Sequence, residues 1–182
     1  MTTFLDPEKI IDHIDIRPGM RVADFGCGHG YYAIPIAKRV GNSGKVYAFD
    51  VQQTAVDALR THAQAQRLGT IEVRRVNLEE AHSTGLADGV VNLVLIANIL
   101  FQAEDKKGLL AEAARILARD GSLAVIEWRK EGGSASSQDA LGPPVHLRVS
   151  QEEIKSMMEE KGFHKEREFD AGEWHYGIIF KK

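Results

Sequence analysis

Apolar positions along this chain alternate between two periods. Val22, Ala23 and Phe25 make a short apolar run that stops at a glycine cluster, as a buried strand does. Ala33, Ile36, Ala37 and Val40 then recur at helical spacing, with Pro35 tolerable in a first turn where a missing N–H costs little. The alternation repeats. Lys45 to Phe49 reads as a second strand ended by Asp50, and Gln53 to Leu68 as a helix with Val56, Leu59 and Ala63 inward. Ile71 to Val76 predicts a third strand. Val90 to Ala97 is nearly all apolar, the pattern of a central parallel strand. Glu104 to Ala118 predicts a helix, closed by Arg119-Asp-Gly121 before a fifth strand at Ser122 to Glu127. Segment 79–87 carries no assignable pattern.

Both ends of the chain are equally legible. Asp6-Pro7-Glu8 is an N-cap with proline at the first helical position, followed by the apolar face Ile10, Ile11 and Ile14 and a break at Arg17-Pro18-Gly19. Ser150 and Glu153 form a capping box for a helix carrying Ile154, Met157 and Met158, which Gly162 ends. His164 to Phe169 and Trp174 to Phe180 follow as strands joined by a turn. Strands alternating with helices predict an α/β sheet.

The glycine cluster is where chemistry enters. Gly26, Gly28 and Gly30 stand at every second position between strand and helix, so the backbone can turn sharply and approach a ligand. Such a turn aims N–H groups at the crevice beyond a strand's carboxyl end. The spacing is G-x-G-x-G, not the dinucleotide G-x-G-x-x-G, and no lysine opens the helix as in a phosphate-binding loop. Asp24, two residues before the first glycine, would repel a pyrophosphate and attract a cation. A ligand with an amino group or a sulfonium suits it better; the plain alternative is a turn that only packs helix on strand.

From Val22 to Gly30 the residues resemble the first motif of the class I S-adenosylmethionine-dependent methyltransferases, hydrophobic-x-Asp/Glu-x-Gly-x-Gly-x-Gly. The resemblance runs from about Arg17 to Lys182. It implies a Rossmann-like, mostly parallel seven-stranded sheet with helices on both faces, order 3-2-1-4-5-7-6 with strand 7 antiparallel. It implies one domain over 1–182, with an N-terminal helix in 1–16 and a substrate-side loop in 130–149. The implied cofactor is S-adenosyl-L-methionine, and the implied activity methyl transfer to a small molecule, as in quinone-biosynthesis C-methyltransferases. A sensor that binds the cofactor without chemistry is the alternative; an NAD oxidoreductase fits the glycine spacing and Asp24 poorly.

The resemblance places the cofactor against Asp24, Gly26, Cys27, Gly28 and Gly30, then against Asp50, Val51, Asn77, Leu78 and Ala97. Asp50, at a strand tip, can accept both ribose hydroxyls, or else cap the next helix. Val51 can cover the adenine face, and Asn77 stands where the family commonly has an acidic residue. Asn98 is either a positioning group at the methyl or a strand cap. Phe101 falls where substrate is expected. His146 is the candidate base and Arg148 the candidate anchor for an anionic substrate, on one side of an extended segment from Gly142; both read equally as solvated loop residues. Phe4 and His13 are positions from which the first helix can reach ligand, though packing is its simpler role.

Composition excludes several alternatives. With 26 acidic against 23 basic residues the net charge is −3, which argues against nucleic acid as partner. The seven histidines lack metal-binding spacing and Cys27 is the only cysteine, so no metal and no arsenite chemistry is expected. There is no G-x-S-x-G nucleophile elbow. Asp6, Glu8 and Lys9 interrupt any leader-like run, no stretch is apolar enough to span a membrane, and the lone thiol fits a reducing cytoplasm.

Overall fold

The computed structural model describes residues 5–130 and 142–182. Phe4 and most of the Gly/Ser-rich loop expected from Arg129 to Ala140 lie outside them. Seven strands form one sheet in the order β3-β2-β1-β4-β5-β7-β6. They are β1 (Arg21–Phe25), β2 (Lys45–Asp50), β3 (Ile71–Arg75), β4 (Val91–Ala97), β5 (Leu117–Trp128), β6 (His164–Asp170) and β7 (His175–Lys181). The first five run parallel, and β7 is antiparallel to both β5 and β6. This is the implied topology.

Because β1 and β4 are central, both of their faces are buried and alternate residues feed two cores. Val22, Leu93 and Leu95 pack with α1 (Pro7–Asp12) and α2 (Ala33–Val40) on one side. Ala23, Phe25, Val94 and Ile96 pack with α4 (Lys106–Ile116) and α5 (Gln151–Glu159) on the other. α3 (Gln53–Ala65) lays Leu59 into the first core. Caps set the helix starts as read: Asp6 accepts from the Glu8 N–H at 3.1 Å, and Ser150 with Glu153 makes the capping box of α5. His13 stacks on Phe169 at 4.9 Å, so the first helix is tied to β6 there.

Two local expectations change, and the segment left without a pattern gains an anchor. β5 begins at Leu117 rather than after Gly121; Val91 pairs Leu117 and Leu93 pairs Ser122, so Arg119-Asp-Gly121 is an irregularity inside the strand. Segment 79–87 has no regular element but is held from outside. The buried Glu112 carboxylate accepts from the His82 and Thr84 N–H groups at 3.1 Å each, and Arg115 pairs with it at 2.7 Å. Burial alone would raise the Glu112 pKa, but the bonds from Arg115 and Thr84 outweigh it and hold it at about 2. Finally, the segment after Gly142 is not extended throughout. Val145–Leu147 is a 3₁₀ turn in which the Leu147 N–H donates to the Pro144 carbonyl at 2.9 Å, a short helix of the kind used as a connector.

Candidate cofactor and acceptor site

The order of the sheet reverses at β1, with β2 on one side and β4 on the other, and the site lies beyond the carboxyl ends of these strands. The Gly26 and Cys27 N–H groups both donate to the Phe49 carbonyl, at 2.8 and 2.9 Å, binding the glycine turn to β2. The three glycines then differ in purpose. A Cβ on Gly26 would lie 2.2 Å from Ile99 Cγ2, and one on Gly30 2.4 Å from Leu59 Cδ1, so both allow close packing. Gly28, at φ +50°, would meet nothing within 4 Å. Of the three, it alone has open space where a side chain would start, and that space is the cavity.

That cavity, of about 440 Å³, brings together Gly26, Gly28, Asp50, Val51, Asn77, Leu78, Ala97 and Asn98 from four separate stretches of chain. Asp50 is its anchor. One carboxylate oxygen accepts from the Gly28 N–H and the other from the Gln52 N–H, both at 2.9 Å. A carboxylate offers about four acceptor positions, so roughly one per oxygen remains for a ligand. Val51 stays 56% exposed beside it, an apolar face in want of cover. Asn77 Oδ1 accepts from the Glu79 N–H at 3.2 Å, and its amide donates to Glu80 at 3.1 Å, leaving acceptor capacity on Oδ1. Ile99 and Gln102 also line the cavity, as do Gln52, Val76 and Ala103, which were not singled out from sequence.

Asp24 lies next to this space rather than on its wall. It is 1% exposed, and Oδ2 has no hydrogen-bond partner. Burial, then the Asp50 charge, raise its pKa from 3.8 to about 7, against one backbone bond from Ala33. A buried carboxyl with an orphaned oxygen next to a second carboxylate is a place where a cation would be welcome. Cys27 turns its side chain into the core shared with Tyr32 and Ala97, and its thiol pKa is raised, chiefly by burial.

The Asp24 geometry sets a stability prediction. Its folded pKa lies above the unfolded one, so between about pH 4 and 7 the folded state binds more protons than the unfolded state. Stability of the unliganded protein therefore falls as pH rises through that window. Asp24→Asn removes this loss and should raise the melting temperature at pH 8 by ~3–10 °C, the scale set by a few kcal/mol in a domain of this size. Thermal denaturation at pH 5 and pH 8 checks it: an unchanged pH dependence in the variant would refute the assignment.

Asn98 follows β4 in the left-handed region, at φ +56°, and its buried Oδ1 has no partner. Asparagine enters this region more readily than most residues, and the turn sets Asn98 on the cavity wall. Phe101, His146 and Arg148 line a second cavity, of about 460 Å³, with Lys106, Lys130 and Met157. The 3₁₀ turn separates the two residues that an extended chain would have put on one side. His146 is exposed and Arg148 only 2% so. Arg148 donates to the Pro143 and Arg129 carbonyls at 2.9 Å each and lies over the Trp128 ring at 5.6 Å. Its guanidinium braces residues 143–148 against β5.

An open, largely parallel α/β sheet binds its ligand beyond the strand ends at the switch point, and here a carboxylate and an apolar face meet there. The profile of the family described as a methyltransferase domain matches residues 16–175, and the chain belongs to that family. Nocamycin O-methyltransferase of Saccharothrix syringae is 31% identical over 117 residues, 64% of this chain and 41% of that protein. The ubiquinone/menaquinone biosynthesis C-methyltransferase UbiE of Shewanella halifaxensis (strain HAW-EB4) is 25% identical over 179 residues, 84% of this chain and 70% of that one. The chain thus spans well under half the length of the first relative. A SAM-dependent methyltransferase of Aquifex aeolicus superposes with a TM-score of 0.85 at 28% identity, over 97% of this chain and 89% of the other. With the family goes its cofactor, S-adenosyl-L-methionine.

Proposed function

We propose that this chain, acting as one domain over 1–182, transfers the methyl group of S-adenosyl-L-methionine to a small-molecule acceptor. The observation that carries the reading is the opening at Gly28: the one glycine of the turn with empty space before it faces the cavity and has its N–H tied to Asp50. The residues fit the cofactor part by part. The free acceptor positions of Asp50 match two ribose hydroxyls, and Val51 and Leu78 offer apolar cover for adenine. Asn77 Oδ1 can take its amino group. The orphaned Asp24 oxygen suits the ammonium of the methionine end. When bound, the cofactor supplies a methyl group made electrophilic by its sulfonium.

The chain's own contribution is chiefly alignment, which can supply much of the acceleration in a displacement of this kind. Asn98, with its unpartnered oxygen on the cavity wall, positions the reacting groups. The acceptor enters from the second cavity, where Phe101 gives it an apolar wall and His146 takes a proton if the acceptor atom bears one. Arg148 serves there by bracing the segment that carries His146. One relative is named for O-methylation and another for C-methylation, so the acceptor atom follows from this cavity's contents. Among the described residues no helix is long and apolar enough to cross a membrane. A cytoplasmic site fits that and the buried free thiol; the net charge speaks against nucleic acid as partner.

Thermal denaturation with added ligand tests the reading. At about a hundred times Kd, S-adenosylmethionine or S-adenosylhomocysteine stabilises a protein by ~2.7 kcal/mol, here a rise of ~5–10 °C. NAD should produce none. Equal stabilisation by NAD overturns the cofactor assignment, and S-adenosylhomocysteine release on incubation with cell extract separates an enzyme from a sensor.

A further inference from the structure

Glu127 is a carboxylate in the wrong company. It ends an apolar run on β5, is fully buried, and is used by none of the steps above. One oxygen accepts from two successive backbone groups, the Ile99 N–H at 2.9 Å and the Leu100 N–H at 2.7 Å. The other oxygen has no hydrogen-bond partner. Lys106 is the cation that faces it, and Tyr176 lies across from it on β7.

The two N–H groups explain the placement. The parallel ladder continues one residue past β4, where the Asn98 N–H donates to the Ile126 carbonyl at 2.9 Å. Asn98 then turns left-handed, so Ile99 and Leu100 leave the ladder with buried donors that the sheet no longer satisfies. Such donors are costly if unpaired. A single side-chain oxygen on the neighbouring strand takes both. Ile99 packs on Gly26 and lines the cofactor cavity, while Phe101 lines the other one. The turn 98–103 is therefore the wall between the two cavities, and it hangs from Glu127.

We propose that Glu127 is a positioning residue of the methyl-transfer site: it latches the 98–103 turn so that Asn98 and Ile99 face the cofactor and Phe101 faces the acceptor. The proposal rests on the cofactor reading of the first cavity. It predicts that an acceptor oxygen at this reach matters more than charge. E127Q keeps that oxygen; E127D keeps the charge but is one methylene too short; E127L keeps neither.

The test measures S-adenosylhomocysteine affinity by calorimetry well below each variant's melting temperature, with amide exchange at Ile99 and Leu100. E127Q should bind within ~3-fold of wild type and keep both amides protected, since its side-chain carbonyl oxygen is an acceptor at the same reach. E127D and E127L should bind at least ~10-fold more weakly and lose that protection, the scale of one or more hydrogen bonds to a charged group. A residue that only stabilised the fold would lower the melting temperature without moving affinity in the folded protein. Should E127L not fold, the E127D and E127Q pair decides. Wild-type affinity in E127D, or tight binding by E127D with loss in E127Q, overturns the latch. If wild type itself binds no S-adenosylhomocysteine, the cofactor reading fails, and amide exchange in E127D against E127Q still judges the latch.

Discussion

Gly28→Val is expected to weaken S-adenosylhomocysteine binding by at least ~100-fold while leaving a folded protein, because the new side chain extends into space a ligand needs. At φ +50° a Cβ on residue 28 meets no protein atom within 4 Å, so the substitution creates no internal clash. It does carry backbone strain: a β-branched residue in the left-handed region costs ~1–2 kcal/mol, or a melting temperature lower by ~2–8 °C. The Gly28 N–H can still reach Asp50, so the turn keeps its tie to β2. Gly30→Val is the control. Its Cβ would start 2.4 Å from Leu59 Cδ1 on α3, so it should lose stability more heavily. Calorimetry on variants with native circular dichroism reads the difference. Unchanged affinity in Gly28→Val would mean that the turn serves packing alone.

Asp50→Ala carries the second large effect, a loss of roughly ten- to hundred-fold in affinity, from the ~1.5–3 kcal/mol of hydrogen bonds to a charged group. The structure adds a reason for the upper part of that range. Removing the carboxylate also strands the Gly28 and Gln52 N–H groups, so the cradle loosens along with the ribose contact. Asp50→Asn should be nearly as damaging. Its one oxygen can take one of these donors, but its amide N–H₂ then confronts the other. A cycle between Asp50→Ala and a ligand lacking ribose hydroxyls isolates the direct contact. Strong coupling supports it; strictly additive losses would assign Asp50 to the turn only.

Much of this architecture could be read locally. The apolar runs and helical spacings led to seven strands with helices between them, because backbone period and side-chain burial are coupled over a few residues. The glycine run, with Asp24 before it, resembled the first motif of the family to which the chain belongs. The implied sheet order holds. The reading of Ser150 with Glu153 as a capping box also holds, since that motif closes on itself within four residues.

What local pattern could not carry is the pairing of distant residues. Glu127 holds Ile99 across 28 positions of sequence, and Glu112 holds Thr84 across the same separation. The one visible signal for Glu127 was a lone carboxylate closing an apolar strand. Arg148 reads from sequence either as an anchor for an anionic substrate or as a solvated loop cation, yet the 3₁₀ turn before it and the Trp128 ring beneath draw it into the interior, while His146 stays outside. Gly26, Gly28 and Gly30 look alike in sequence but serve packing on Ile99, a cavity and packing on Leu59 respectively. The sequence by itself determined the elements, their class and the kind of ligand the glycine turn suits, since these depend on period and local chemistry. Tertiary structure decided which side chains face the cavities and which brace their walls, because that depends on long-range contacts formed only when the strands pair.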